Sequence, residues 1–156
     1  MGGRVLSERS TDLIYYIAAT EGHLSTLVPL IRDIDIEECE DIFGLSIEEG
    51  LTWSLRNSAE AYTIFDGRTP VGMFGVVAGK TVSTPWLVGS DTLTKEWFTL
   101  ARESRKIWTQ FAYKYGTLVN YLKKTNHVHL RWLDWMGADF YSVPNCPDIV
   151  RFQSCV

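Results

Sequence analysis

The stretch Tyr115–Phe140, YGTLVNYLKKTNHVHLRWLDWMGADF, decides the fold of this chain. It starts where a long amphipathic pattern ends, and its apolar run Leu118–Leu122 predicts a strand. Asn126 is typical of a helix N-cap and Gly137 of the residue just after a helix, so the segment between them predicts a short helix. An aromatic run near Phe140 predicts another strand. A strand, a capped helix and a strand in this order indicate a sheet with a helix packed on its face.

The middle of the chain predicts a β-hairpin. Ala61–Phe65 and Val71–Val77 are β-rich runs, and Asp66-Gly67 between them is a strong turn signal. Gly72 and Gly75 lie inside the second run, where glycine indicates a bulge or the close approach of another part of the molecule. A further strand is predicted at Ser83–Val88.

Helical patterns lie on both sides of this hairpin. Ser46 and Glu49 form a capping box that predicts the start of a helix. Thr94 is predicted to cap a longer helix with a regular apolar stripe. That stripe contains Trp97, Leu100, Ala101, Ser104, Ile107, Phe111 and Ala112. The same phase points the basic residues of this helix, Arg102, Arg105 and Lys106, toward solvent.

These elements predict a mixed α+β or α/β fold in the order β-α-α-β-β-β-α-β-α-β-β. The first strand is expected within Asp12–Ala19 and the last within Ile149–Cys155. Short antiparallel hairpins followed by alternating strands and helices predict a mixed, mostly antiparallel central sheet flanked by helices. Residues 1–11 are expected to be a flexible polar lead-in, and residues 12–156 to form a single domain.

The composition excludes several functional classes. A net charge of −4 gives no basic surface of the kind that binds nucleic acid. No apolar run approaches the length of a membrane span, and the first residues lack the order of a signal peptide. Cys39, Cys146 and Cys155 are far apart and lack metal-ligand spacing, which favours free thiols in a reducing cytoplasm. We therefore expect no metal, no nucleic-acid partner and no membrane partner.

The order of elements resembles the GNAT superfamily of acyl-CoA N-acyltransferases. Three stretches more narrowly resemble the acetyltransferase-like internal virion protein A family of podophages: Asp66–Gly75, Pro85–Asp91, and Asn120-Tyr121 together with Asn126–Gly137. This second resemblance implies a phage protein in the host cell cytoplasm, or in the virion itself. It also implies a virion or host protein as the partner.

The superfamily resemblance makes acetyl-CoA the candidate cofactor. It places the cradle for the cofactor pyrophosphate between Val88 and Lys95, at a helix N-terminus. The residues that would bind the cofactor are then Val88, Gly89, Ser90, Thr92, Thr94 and Asn126. Superfamily members have two closely spaced glycines in this turn, whereas this chain has one. In addition, Asp91 puts a negative charge where the pyrophosphate would lie. Helix capping explains the hydroxyl residues and Asn126 equally well.

The catalytic residues implied by the superfamily are also incomplete. Leu133 stands where the superfamily has a tyrosine that protonates the leaving thiolate, and Tyr121, His127 and His129 are the nearest substitutes. Glu60 is the candidate general base, although a glutamate at a strand end is more often exposed to solvent. Catalytic candidates are therefore Tyr121, His129 and Glu60.

Two functions remain open. The first is a phage assembly or interaction module with a degenerate acyl-CoA site, in which exposed tryptophans such as Trp86 or Trp135 contact the partner. The second is an active acyl-CoA-dependent N-acetyltransferase that modifies a small amine or a host protein.

Overall fold

The computed structural model describes residues 3–8 and 13–154, with the side chains of residues 7–8 and 97–99 outside the description. Within these residues, five strands form an antiparallel sheet in the order β1-β2-β3-β4-β5. They are β1 Arg4–Glu8, β2 Leu13–Ala18, β3 Glu60–Asp66, β4 Thr69–Val77 and β5 Thr84–Gly89. Three further strands form a second antiparallel sheet in the order β6-β8-β7. They are β6 Leu118–Lys123, β7 Asp139–Val143 and β8 Cys146–Ser154.

In the described part of the chain, six helices connect and cover these strands. They are α1 Glu21–Leu27, α2 Asp33–Phe43, α3 Ile47–Asn57, α4 Asp91–Lys95, α5 Trp97–Tyr115 and α6 His127–Trp135, and a 3-10 turn at Val28–Leu30 follows α1. The predicted mixed class, with mostly antiparallel strands flanked by helices, is confirmed. Two details differ from the prediction. Three helices rather than two separate β2 from β3, and the segment expected to be a flexible lead-in contains β1, which pairs with β2.

The hydrophobic core lies on both faces of the five-stranded sheet. Neighbouring residues of a strand point to opposite faces, and Phe74 and Met73 of β4 illustrate this. Phe74 packs with Trp108 and Phe111 of α5, as the predicted apolar stripe requires. Met73 packs with α1 and α3 on the other face. Arg102, Arg105 and Lys106 are exposed, as expected, whereas the side chain of Trp97 lies outside the described part of the chain.

The predicted helix start at Thr94 is wrong. Thr94 lies inside the short helix α4, where its N–H donates to Ser90 O at 3.3 Å, and α5 begins only after Glu96. Leu93 holds α4 against the sheet. A Cβ atom added to Gly72 or Gly89 would lie 2.7 Å or 2.6 Å from Leu93 Cδ2, so these glycines make room for the leucine.

The other local signals are confirmed. Gly67 has a φ of 61° in the β3–β4 turn, and Gly137 has a φ of 88° just beyond α6. The capping box of Ser46 and Glu49 starts α3. Asn126 caps α6, because its Oδ1 accepts a hydrogen bond from His129 N at 3.4 Å.

Candidate functional site

The two sheets meet between β5 and β6, and the contact is short. Ser83 and Leu118 form an isolated parallel bridge, with Ser83 N donating to Thr117 O at 2.8 Å and Val119 N donating to Ser83 O at 2.9 Å. One step further, Asn120 Nδ2 donates to Pro85 O at 2.8 Å. Beyond this point, β5 and β6 form no further ladder within the described residues. We call the opening between them the cleft.

A cavity of about 170 Å³ extends from the cleft between α5 and α6. Most of its wall is apolar and includes Leu93, Leu100, Trp108, Trp132 and Leu133. Its polar wall includes Arg32 and Glu38, which come from α2 and the residue before it, and His129 from α6. The chemistry of the cavity therefore depends on how these charged groups are held.

Helix α2 bridges the two strands of the cleft with two carboxylates. Asp35 Oδ2 accepts a hydrogen bond from Gly89 N of β5 at 2.9 Å. Three residues later on the same helix, Glu38 Oε2 accepts a hydrogen bond from Lys123 N of β6 at 2.7 Å. Asp35, Glu38 and the two main-chain N–H groups they bind form the arrangement that we call the α2 clasp.

Arg32 connects the clasp to α6. Its Nη2 lies 2.7 Å from Asp35 Oδ1, in an ion pair that is almost fully buried, and 3.0 Å from His129 Nε2. A guanidinium can only donate hydrogen bonds, so Nε2 is the acceptor and His129 is neutral with its proton on Nδ1. Consistent with this, burial lowers the pKa of His129 to about 4; the negative charge of Asp35 opposes this shift, and the positive charge of Arg32 adds to it.

Glu38 holds its proton more tightly than an ordinary carboxylic acid. Burial raises its pKa to about 7, and the hydrogen bonds from Lys123 N and Asn126 only partly oppose this. Asn126 Nδ2 donates to Glu38 Oε1 at 2.7 Å, and Asn126 is only 2% exposed. Glu38 is therefore divided between its neutral and charged forms near neutral pH.

The same groups do not fit a metal ion in their present arrangement. Ligand-type atoms of Asp35, Glu38 and His129 lie within 4.8 Å of one another. However, Arg32 already donates hydrogen bonds to both Asp35 and His129. Its positively charged guanidinium therefore takes the place that a metal ion would need.

Three of the six residues predicted to hold the pyrophosphate, Gly89, Ser90 and Asn126, already have hydrogen-bond partners within the molecule. Gly89 N is bound by Asp35, and Asn126 Nδ2 is bound by Glu38. Ser90 donates both its N–H and its Oγ–H to Val71 O, at 2.9 and 3.0 Å. Val88 packs in the core beneath α1 and α3, Thr92 and Thr94 are half-buried, and Asp91 is exposed. In this arrangement the N–H groups of Gly89 and Ser90 and the amide of Asn126 are not free to bind the diphosphate of CoA.

The predicted catalytic residues lie in different parts of the molecule. Tyr121 and His129 line the cavity, and His127 is exposed. Glu60 lies elsewhere, where it accepts hydrogen bonds from Tyr62 at 2.6 Å, from Lys114 at 3.1 Å and from Tyr115. Burial would raise the pKa of Glu60, but these hydrogen bonds outweigh it and lower the pKa. This arrangement joins β3 to the end of α5.

The two tryptophans that were predicted to contact a partner differ in their exposure to solvent. Trp86 is half-buried, and its Nε1 donates to Ser58 Oγ at 2.8 Å, so it packs within the molecule. Trp135 is 47% exposed, with the Arg105 guanidinium 5.0 Å from its ring centre.

Sequence reasoning missed Arg32, Asp35 and Glu38. Their spacing of three residues places them along one side of a helix, which is the signal that was available. In a segment as acidic as α2, this spacing does not distinguish a buried row of charges from a solvated one.

Comparison with solved structures gives the fold. The GNAT domain of S. lividans PAT matches with a TM-score of 0.70 at 9% identity, over 92% of this chain and 91% of that one. A Bacillus subtilis acetyltransferase in complex with CoA matches with a TM-score of 0.62 at 15% identity, over 92% and 97%. RimL, a ribosomal L7/L12 alpha-N-protein acetyltransferase in complex with CoA, matches with a TM-score of 0.61 at 11% identity, over 98% of each chain.

The chain has the fold of the GNAT acetyltransferases. No protein-family model and no curated protein matches its sequence. The resemblance to the internal virion protein A family has no support from these comparisons. Among the described residues, no helix combines the length and the apolar character that crossing a membrane requires.

Proposed function

We propose that this protein is a GNAT-fold binding module that does not transfer acyl groups from CoA. The α2 clasp carries the proposal, because Asp35 and Glu38 occupy main-chain N–H groups on both sides of the cleft. A phosphate group at Gly89 would have to displace the carboxylate of Asp35. Two like unit charges about 4 Å apart repel by ~1–4 kcal/mol in surroundings between water and a protein surface.

The resemblance to the internal virion protein A family supplies the biological setting of the proposal. In that setting the module acts in phage virion assembly, or contacts a virion or host protein, within the host cell cytoplasm. The support is the set of sequence stretches at Asp66–Gly75, at Pro85–Asp91, and at Asn120-Tyr121 together with Asn126–Gly137.

The alternative is an active acyl-CoA-dependent N-acetyltransferase acting on a small amine or a host protein. Glu38 favours it, because a carboxylate with a pKa of about 7 beside a cavity has the proton affinity that a general base needs near neutral pH. CoA-bound neighbours with the same fold also favour it. This alternative requires α2 to move before CoA can enter.

Calorimetric titration separates the two functions. We expect no binding of acetyl-CoA or desulfo-CoA to the unmodified protein at ligand concentrations up to about 1 mM. The Bacillus subtilis acetyltransferase serves as the positive control, since its structure is a complex with CoA. Micromolar binding to the unmodified chain would contradict the proposal.

A variant without the α2 clasp tests whether the clasp is what excludes CoA. Asp35→Ala/Glu38→Ala frees the two main-chain N–H groups and leaves Arg32 without its acidic partner, so we expect this variant to gain CoA affinity. The matched control is Asp33→Ala/Glu40→Ala, which removes two exposed acids from the same helix. Circular dichroism checks that both variants fold, and Glu38→Ala alone is the milder substitute. Equal behaviour of the clasp and control variants would mean that the clasp does not exclude CoA.

A further inference from the structure

The hairpin formed by α2 and α3 concentrates negative charge. Residues 33–57 hold eight of the nineteen acidic residues of the chain and a single basic one. Asp35 and Glu38 point inward, whereas the other six acids are exposed. These six are Asp33, Glu37, Glu40, Asp41, Glu48 and Glu49. The exposed side of the hairpin is therefore the acidic face of the molecule.

The same hairpin exposes two large aromatic side chains. Trp53 of α3 is 56% exposed, and Phe43 at the end of α2 is 53% exposed. Trp53 lies in a shallow depression that Glu48, Glu49 and Arg56 also line. An exposed tryptophan ring with charged groups around it suits a protein contact surface, because tryptophan is enriched among the few residues that contribute most of the binding energy.

Local ion pairs leave the negative charge largely uncompensated. Of the described residues that line the depression, only Arg56 is basic, and it is paired with Glu21 at 2.8 Å. Lys123 pairs with Asp41 and Glu37 at the edge that faces β6. Within the described residues, Glu40 and Glu48 form no ion pair. A ligand that covers Trp53 must therefore lie in a negative field.

We infer that the acidic face around Trp53 is a docking surface for a lysine- or arginine-rich segment of a partner protein, which places an apolar side chain beside Trp53. The inference rests on the proposed function, since it names the partner surface of the binding module. Charge complementarity selects this occupant. Nucleic acid and anionic membranes would be repelled, and a second copy of this face would bring like charges together.

Titration with designed peptides tests the inference. The probe is a short helical peptide with lysines and leucines at helical spacing, and the control peptide carries glutamate in place of every lysine. We expect the basic peptide to bind with a Kd of roughly 1–100 μM and more weakly at high salt, and the acidic peptide not to bind. Trp53→Ala should weaken binding by about tenfold or more. Tyr113→Ala, on α5, removes a ring that is 83% exposed and should have no effect.

Charge reversal tests the electrostatic part. Glu40→Lys/Glu48→Lys should weaken binding of the basic peptide and reduce its salt dependence, because Glu48 lines the depression around Trp53 and both acids belong to the exposed acidic face. The matched control, Asp134→Lys/Asp139→Lys, reverses two exposed charges elsewhere. The inference is overturned if neither peptide binds, if both bind equally, or if the Trp53 and Tyr113 variants behave alike. These titrations contain no CoA, so a failure of the basic peptide to bind overturns this inference alone. Binding of CoA to the unmodified protein would overturn the proposed function.

Discussion

At the scale of single residues, Asp35 and Glu38 show how neighbours decide the behaviour of a buried acid. Asp35 has the Arg32 guanidinium at 2.7 Å as a partner of opposite charge. Glu38 has mainly neutral donors, the N–H of Lys123 and the amide of Asn126. Hydrogen bonds from neutral groups offset only part of the cost of burying a charge, so the pKa of Glu38 rises to about 7.

The pKa values of Glu38 and His129 predict opposing effects of pH on stability. Glu38 binds its proton more tightly in the folded state, at about 7 against an ordinary 4.5, so its contribution to stability is lost as pH rises through that window. His129 binds its proton less tightly when folded, at about 4 against 6.5, so its contribution is lost as pH falls through that window. Each shift corresponds to ~3 kcal/mol, and the two slopes cancel between about pH 4.5 and 6.5.

Removing the titration of Glu38 should reveal the pH dependence of stability that His129 contributes. We expect Glu38→Gln to make the free energy of unfolding rise with pH between about 4 and 6.5, by up to ~3 kcal/mol relative to the unmodified protein. The measurement is urea unfolding at several pH values. Glu48→Gln, an exposed acid on α3, is the control and should leave the curve unchanged. A Glu38→Gln curve parallel to that of the unmodified protein would show that Glu38 titrates as a solvent-exposed acid.

At the scale of elements, sequence patterns predicted the turns, the helix caps and the apolar side of α5, which local chemistry determines. The Asp66-Gly67 turn, the Ser46 capping box and the Asn126 cap lie where expected, and so do the described side chains of the α5 stripe. Tertiary contacts determine the rest. The break between α4 and α5 depends on how Leu93 fits against Gly72 and Gly89, which are distant in sequence. The direction of the acids of α2 likewise depends on the donors that β5 and β6 present, so the clasp could not be predicted from spacing alone.

Helix α5 provides a test of element packing. Phe111 is 5% exposed and packs on the sheet near Phe74 and Tyr115. Phe111→Ala should therefore lower the free energy of unfolding by roughly 3–5 kcal/mol, the usual cost of emptying an aromatic core position. Tyr113→Ala, two residues away and 83% exposed, should change it by less than about 0.5 kcal/mol. Chemical unfolding measures both, and similar values for the two variants would contradict the packing of α5 described here.

At the scale of the whole molecule, few contacts join the two sheets along the cleft. The strands pair at Ser83 and Leu118, Asn120 adds one side-chain hydrogen bond, and the α2 clasp adds one from each strand. The carboxylates of α2 thus take over part of the strand-to-strand contact that main-chain hydrogen bonds would otherwise make. The proposal of a binding module thus rests on two features of the α2–α3 hairpin, the clasp across the cleft and the exposed acidic face.

Complementation of a phage that lacks this gene would decide between the two functions in the proposed setting. For a binding module, Trp53→Ala should abolish phage yield, because the variant loses an exposed contact and no core packing. Glu38→Gln and His129→Gln should leave yield intact. For an acetyltransferase, loss of a general base or acid typically costs 10²–10⁴-fold in rate, so the Glu38 or His129 variant should fail instead. Tyr113→Ala is the control for an exposed aromatic, and each variant is first shown to be folded by circular dichroism. A lethal Glu38→Gln beside a tolerated Trp53→Ala would overturn the binding-module proposal and make Glu38 the catalytic base of an active enzyme.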